Sequence, residues 1–500
     1  MAYTAFITRI KNVRPHPNAD RLQLGECFGN TIVVSLDYED NQLGIYFPSD
    51  GQLSVEFAEA NNLLRKKDEN GNNIGGYMDA SKRNVTAIKL RGEKSDGLFL
   101  PLKSLESFGD VTTLHEGDRI DNFNGHEICC KYIPRRNHRN GGVSNGNRTR
   151  KKKVNIAPLF VEHADTEQLA YNLGAFKAGD EIEITLKMHG TSQRTAYLPV
   201  FVGYKDSICR KFVNKIRMGL KVGKNWGSAG RKAFYDSLKH GEPIYDWGYV
   251  SGTRRTVLEN FEGGYYGSNE FREQHSKFFE GKLWKGEEVY YEVVGFTHTG
   301  APIMATADNK KLNDKEFVKQ YGKETVFSYG CIPDGNQSKT VKGIMGIVEF
   351  TNPIPQSDIY VYRMTMTNED GDVVEYTPDF MRYRCEQMGV KTVPVMWKGT
   401  IPRDEWIEEC YDCNGQLGYW GRHRDGTPGE WIKNIAEQYY DGPDPIGKTH
   451  VREGVVVRIL SRPKFCAYKH KNFSFKVLEG ICKAEAETPD MEEAQEVTEE

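Results

Sequence analysis

The sequence predicts an α/β (α+β) fold with a large antiparallel component, and three observations carry that expectation. Residues 1–130 alternate apolar and polar in short runs broken by Pro, Asn, Asp and Gly. A basic stretch containing Gly141, Gly142 and Gly146 interrupts the pattern across 131–155. Beyond it, 156–480 mixes strand-like runs with helical patches, and the acidic 481–500 is expected to be a disordered tail. Five hundred residues is far more than one core needs, and suggests roughly three domains.

In the first module the alternating runs are 5–10, 22–27, 32–36, 44–47 and 84–90, followed by Asp96-Gly97-Leu98-Phe99-Leu100-Pro101. Such spacing is that of a small barrel or sandwich. The segment 13–22, from Val13-Arg14-Pro15-His16 to Arg21-Leu22, resembles the opening of OB-type tRNA-binding modules. A Pro/Asn turn joining two strands accounts for the same residues. The linker follows. Between Lys131 and Lys153 it holds nine Lys/Arg and no acid, the electrostatic footprint of a polyanion partner, because neutralising phosphates releases counterions. Arg135, Arg136, Lys151, Lys152 and Lys153 are the candidate nucleic-acid contacts. In the larger domain the clearest helical patch is 207–240. Ten Lys/Arg against two acids between Tyr204 and His240 suit a backbone-tracking surface, or a helix pair with a solvated face.

Net charge is −3, so bulk charge selects no partner. No apolar run approaches a membrane span, and the opening Met1-Ala2-Tyr3-Thr4-Ala5-Phe6 lacks the regions of a signal peptide. Ten cysteines in a long chain without an export signal point to free thiols in a reducing, cytoplasmic compartment, an expectation that a virus- or phage-encoded chain also meets. Cys410 and Cys413 form a single C-x-x-C. Cys385 and His423 complete a tetrad on paper, but ordinary buried thiols are the expectation.

The most informative stretch is Lys187-Met188-His189-Gly190-Thr191-Ser192, preceded by the alternating Glu181-Ile182-Glu183-Ile184-Thr185-Leu186. It reads as a strand delivering one lysine onto a tight glycine turn. A lysine amine, with an ordinary pKa near ~10.4, is a poor nucleophile until its surroundings favour the neutral form. Cationic neighbours that favour the neutral form are therefore expected among the downstream residues. Gly252-Thr253-Arg254-Arg255 comes first. Tyr290-Tyr291-Glu292-Val293-Val294-Gly295 then puts an acid at a strand end. Ile359-Tyr360-Val361-Tyr362-Arg363-Met364 alternates, placing Tyr360 and Tyr362 on one face. Glu453-Gly454-Val455-Val456-Val457-Arg458 starts a strand with an acid, and Tyr468-Lys469-His470-Lys471 puts two lysines on one strand face.

The series K-x-H-G-T, E-V-V-G, Y-x-Y-R, E-G-V-V-V and K-x-K resembles the nucleotidyltransferase motifs of ATP-dependent RNA ligases. His in the third position of the first motif, where DNA ligases and many relatives carry Asp, points to the RNA-ligase-2 group. An OB-like module ahead of the transferase domain further resembles the Deinococcus-type RNA ligases. The resemblance implies a two-sheet transferase domain cradling the nucleotide, with Lys187 forming a lysyl–AMP phosphoramidate. It implies that His189 helps at sealing, that Arg254 contacts AMP or the end phosphate, and that Glu292 bonds the ribose hydroxyls. Tyr362 would stack on adenine, with Tyr360 the alternative. Glu453 would hold Mg2+ or Mn2+, since hard cations want carboxylate oxygens. Lys469 and Lys471 would stabilise charge on the α-phosphate, with Lys476 the alternative if the register slips. Arg255 is expected to face solvent.

The spacing is longer than in compact members of that family. Lys187 to Glu292 spans 105 residues and Tyr362 to Glu453 spans 91, so insertions are expected at 204–240 and 397–431. Only 29 residues follow Lys471, which leaves no room for the downstream OB domain of DNA ligases and capping enzymes. The resemblance implies ATP-dependent joining of RNA 3′-OH and 5′-phosphate ends through lysyl–AMP and AppRNA, in RNA repair. The expected partner is RNA, as a nicked duplex or an RNA/DNA hybrid gripped by the N-terminal module, with the chain monomeric. On this reading a chain starting near Lys153 keeps self-adenylylation and loses duplex sealing. A GTP-using capping enzyme and a non-catalytic RNA-binding protein are the other classes to be tested.

Overall fold

Short alternating runs in the first module form the strands Ala5–Arg9, Lys11–Pro15, Leu22–Cys27, Asn30–Ser35 and Leu43–Phe47 of the computed structural model. The structure describes residues 3–67, 73–132, 155–163, 166–221, 240–254, 257–258, 261, 270–297, 300–304, 306–331, 356–402 and 426–484. The segment 13–22 is a turn between paired strands. The His16 amide bonds the Leu22 carbonyl at 3.1 Å, and the Asn18 amide bonds His16 Nδ1 at 3.0 Å. One sheet has the order Leu98–Pro101, Leu43–Phe47, Ala5–Arg9, Arg119–Ile120. Two three-stranded sheets accompany it, Lys11–Pro15 with Leu22–Cys27 and Asn30–Ser35, and Cys129–Lys131 with Gly51–Leu53 and Asn84–Val85.

The expected small barrel is corrected: among the described residues no sheet closes on itself. Closure needs tilted, staggered strands paired all the way round. Here left-handed residues such as Asn12, Asn41 and Asp50 turn the chain after at most six residues. The result is a set of short open sheets over an apolar core that includes Ile7, Ile45, Phe47, Leu53, Phe57 and Leu105.

The larger domain is mixed α+β and dominated by two antiparallel sheets. The first has the order Glu167–Gln168, Ala467–Lys471, Gly454–Ile459, Glu181–Leu186, Val395–Thr400; only the short edge strand Glu167–Gln168 pairs in parallel. The second runs Glu242–Gly252, Thr191–Lys205, Glu287–Gly295, Ser357–Thr367, Val373–Glu375, with Lys391–Thr392 alongside Ser357–Thr367. Residues 187–190 carry the chain from one sheet to the other.

Period-two alternation divides the first sheet into two faces. Ile182, Ile184, Val455, Val457 and Ile459 pack on Trp431, Ile432, Ile435 and Ala436 of the helix Pro428–Tyr439. That helix starts at a capping box, with Thr427 and Glu430 each bonding the other's backbone amide. Trp397 lies 5.9 Å from Trp431, so both ends of the expected 397–431 insertion are core elements. Its middle, with Cys410, Cys413 and His423, lies outside the described residues. On the second sheet Val289, Tyr291, Val361 and Met364 form one core with Phe271, Phe279, Met381 and Phe475.

The helix Ile208–Lys221 begins the basic patch of 204–240; 222–239 lie outside the described residues. The helix Phe473–Ala484 runs past residue 480. Arg135, Arg136, Lys151, Lys152, Lys153 and Arg255 lie outside the described residues, as does 485–500. Among the described residues no helix is long and apolar enough to cross a membrane. Cys27, Cys129, Cys130, Cys209, Cys331, Cys385 and Cys466 are free thiols, and burial pushes that of Cys385 up to about 12.

The N-terminal module packs directly on the larger domain. The Tyr171 ring enters its aromatic cluster, with centroids 4.8 Å from Phe6 and 5.2 Å from Phe28. Lys476 pairs with Asp96 at 2.6 Å and Lys89 with Asp314 at 2.8 Å, and Lys433 Nζ donates to the Phe28 carbonyl at 3.1 Å.

Candidate active site

The strand Glu181–Leu186 ends where its neighbours hold it. The Leu186 amide donates to the Pro394 carbonyl at 2.9 Å, and the Lys187 amide to that of Gly454 at 3.0 Å. Three residues on, a Cβ at Gly190 would collide with the Val293 carbonyl and sit 2.8 Å from Glu292 Cγ. Glycine there lets Thr191–Lys205 lie beside Glu287–Gly295, in a register that sets Ser192 opposite Glu292. The lysine turn expected from sequence thus sits at the junction of the two sheets.

Glu453, immediately before the strand Gly454–Ile459, is 2% exposed and gathers the charged groups. Its Oε1 lies 2.7 Å from Lys187 Nζ and 3.4 Å from Lys471 Nζ, and His189 Nδ1 is 3.4 Å from its Oε2. Burial alone would raise the Glu453 pKa. The ammonium groups of Lys187 and Lys471, with His189, overcome that and hold it well below the usual carboxylate range. Lys471 also pairs with Glu479 at 2.9 Å. Gly454, at φ +151, brings the acid close to this lysine, because a Cβ there would meet the His470 carbonyl and stand 2.8 Å from Lys471 Cα.

His189 is fixed on three sides. Its amide donates to Tyr329 Oη at 2.6 Å. Its ring stands edge-on to Phe327 and Phe475, at 4.5 and 4.7 Å between centroids.

A cavity of about 340 Å³ opens here, within the usual range of small-ligand sites. Lys187, His189, Arg254, Glu292, Tyr362, Glu453, Lys469 and Lys471 all line it, so every described candidate from the sequence is brought together. The alternation expected to place Tyr360 and Tyr362 on one face is broken by a β-bulge. Tyr290 pairs with Arg363 and Tyr291 with Val361, leaving Tyr362 as the extra residue. Tyr362 lines the cavity with its hydroxyl 3.2 Å from Ser192 Oγ, while Tyr360 is 5% exposed in the core and does not line it. Lys476 reaches the wall but is held by Asp96 of the N-terminal module.

Several lining residues were missed in the sequence. Period two identifies some of them: Glu183 and Thr185, Val456 and Arg458, and Ala467 with the two lysines face the cavity from three adjacent strands. His163 is another. Arg363 Nη1, which only donates, lies 2.8 Å from His163 Nδ1, so that nitrogen accepts and the neutral ring carries its proton on Nε2. Arg363 and Arg458 both bond Glu375, at 2.9 and 3.2 Å. Tyr3, Asp50 and Arg119 reach the cavity from the N-terminal module, and nothing local in the sequence marks them.

Among the described residues no group of three or more His, Cys, Asp or Glu is placed to hold a metal alone. Glu453 Oε2 accepts no well-formed hydrogen bond despite its burial, with His189 Nδ1 3.4 Å away. That donor set fits a hard divalent cation shared with substrate phosphates, the usual arrangement for Mg2+.

No protein-family model matches the chain, and no curated protein matches it by sequence. Its course is similar to solved structures of Naegleria gruberi RNA ligase. A variant of that ligase with ATP and Mn is 14% identical at a TM-score of 0.48, over 95% of this chain and 98% of that one. The ligase with PPi is 14% identical at 0.47, over 94% and 97%. A variant with AMP and Mn is 14% identical at 0.46, over 94% and 97%.

Proposed function

We propose that this chain is an ATP-dependent RNA ligase working through a covalent lysyl–AMP. The observation that carries the reading is the meeting of Lys187, Lys471 and His189 on the buried carboxylate of Glu453, in a cavity that also holds Glu292, Tyr362, Arg254 and Lys469. An amine beside an acid, with further cations facing the same space, suits attack on a phosphate whose charge must be offset as it shifts.

In the first step the Lys187 ammonium, paired with Glu453 in the free protein, gives up a proton to solvent and the neutral Nζ attacks the α-phosphorus of ATP. The P–N bond forms as the P–O bond to pyrophosphate breaks, and the proton then lost from the nitrogen passes to the departing pyrophosphate. Lys469 and Lys471 would offset charge on the α-phosphate, where preorganised cations contribute most. Tyr362 supplies a ring for the adenine, Glu292 an acceptor for the ribose hydroxyls, and Arg254 a fork for phosphate. Glu453 would hold Mg2+ or Mn2+, which when bound draws charge from the phosphate oxygens. The AMP then passes to an RNA 5′-phosphate, giving AppRNA and freeing Lys187. In the last step an RNA 3′-hydroxyl attacks that end and AMP leaves, with His189 beside the reacting atoms. Ends held in a nicked duplex, in RNA repair, are the substrate favoured by this reading.

The test is transfer of label from α-labelled ATP to purified protein in the presence of Mn2+ or Mg2+. Wild type is expected to carry an acid-labile adduct and Lys187→Ala none. Labelling of Lys187→Ala, or label from GTP in preference to ATP, overturns the reading.

A further inference from the structure

The segment beneath the lysine loop has a feature that ligand contacts do not explain. After the short strand Glu324–Thr325 the chain makes a tight turn, with the Cys331 amide on the Ser328 carbonyl at 2.9 Å. Two successive residues of that turn are left-handed: Tyr329 at φ +46 and Gly330 at φ +75. For glycine this is ordinary; for a tyrosine it is rare, and it persists only where the surroundings impose it. The Tyr329 side chain is 1% exposed. Its ring stands edge-on to His450 at 4.5 Å, and His450 is itself fully buried, with Nδ1 2.9 Å from the Val451 carbonyl. Asp444, also fully buried, accepts the amides of Ile446, Gly447 and Thr449 and closes the pocket behind that histidine. A strained, enclosed tyrosine therefore presents one atom, its hydroxyl oxygen, to the His189 amide at 2.6 Å.

We propose that Tyr329 is a positioning residue for the adenylylation site, its hydroxyl fixing the backbone of the loop 187–190 so that Lys187 and His189 both reach Glu453. The inference rests on the function proposed above. Two anchors already hold the start of this loop, the Lys187 amide on Gly454 and the strand pairing before it. Tyr329 supplies the anchor two residues later, so the lysine is held from both sides. Burial keeps the phenol neutral, its pKa pushed far up with Glu453 adding to the effect, so it serves as an acceptor and not as a base. The neighbouring Phe327 holds the His189 ring from the same segment. One stretch, 327–329, thus sets both the backbone and the side chain of His189.

The experiment uses the full chain with Tyr329→Phe, which keeps the ring and removes the acceptor. A second variant carries a fluorinated tyrosine at 329, which keeps shape and hydroxyl but weakens the acceptor. Self-adenylylation is followed with α-labelled ATP for kcat and KM. Tyr329→Phe is expected to lower kcat about ten- to a hundredfold, the scale of a small misplacement of a reacting group, with KM for ATP within about twofold of wild type. The fluorinated variant is expected to fall between the two. Wild-type kcat in both variants overturns the positioning role while leaving the ligase reading intact. A rise in KM alone overturns it as well, because that is loss of binding and not of alignment. If wild type itself forms no adduct, the underlying reading fails first.

Discussion

Lys187 Nζ stands 2.7 Å from Oε1 of Glu453, a carboxylate that is 2% exposed. Burial alone would raise the pKa of this acid, and its cationic neighbours hold it well below the ordinary value instead. A carboxyl lowered on folding stabilises the fold above its unfolded pKa, near ~4.3, and that contribution is lost as pH falls through the folded value. Glu453→Gln leaves two ammonium groups facing a neutral amide in a buried place. It is expected to lower stability at pH 7 by about 3 kcal/mol, the scale for breaking a buried pair. The gap to wild type should hold between pH 7 and 5 and narrow below about pH 4. Urea melts at pH 7, 5 and 3 check this, and a gap that ignores pH would remove the ion pair as its cause.

Gly454 controls the same acid from the backbone. With φ at +151 and the His470 carbonyl against its Cα, it tolerates no side chain. Gly454→Ala is expected to cost about 1–3 kcal/mol, through a strained backbone and a displaced strand. The displacement would fall between Glu453 and Lys471, so adenylylation should drop further than stability does. Thermal melts beside label transfer separate the two losses. Equal activity per folded molecule would show that the close approach of these strands is not needed.

The bulge at Tyr362 makes a prediction about the base. Tyr362 lines the cavity and Tyr360 is core, so only the first is placed to stack on adenine. Tyr362→Ala is expected to raise KM for ATP about tenfold or more, from a stacking contribution of ~1–3 kcal/mol. Tyr362→Phe, which keeps the ring and loses the hydroxyl contact to Ser192, should stay near wild type. In Tyr360→Phe the KM is expected not to move. Reversal of the order between the two positions would place the adenine elsewhere.

What was legible in the sequence was local. Lys187 and Glu453 stand next to strand ends and Lys469 and Lys471 on one strand, and both are written in neighbouring residues. The strand Glu181–Leu186 follows from alternation alone, and the β-branched run Val455–Val457 marks the strand Gly454–Ile459, where period two places Arg458 beside Val456 on the cavity face. The bulge was not legible, because one unpaired residue on a strand leaves the apolar pattern intact while turning its faces. The open sheets of the first module were missed because closure depends on pairing between distant strands, which short alternating runs do not specify. Tyr329 was hidden for another reason: its task is defined by a bond to a residue 140 positions earlier.

The longest-range contacts concern the N-terminal module, and they change what removing it should do. The sequence treats 131–155 as a flexible tether, so a chain starting near Lys153 is expected to retain self-adenylylation. The packing argues otherwise. Tyr171 is surrounded by Phe6, Phe28 and Tyr46, at centroid distances of 4.8, 5.2 and 6.3 Å, and Asp96 holds Lys476 five residues after Lys471. Arg119 lies 3.7 Å from Glu167, which is paired with Tyr468 on the strand that carries both site lysines. Removing the module would expose the Tyr171 ring, leave Lys476 without Asp96 and take Tyr3, Asp50 and Arg119 from the cavity wall. Tyr171→Ser in the full chain tests the same contact more gently. Aromatic pairs of this kind contribute ~0.5–1.5 kcal/mol each, so the variant is expected to raise KM for ATP about tenfold by loosening the wall. The truncated chain should label weakly or not at all. Rapid labelling of the truncated chain at wild-type KM would restore the tether picture and confine the module to holding RNA.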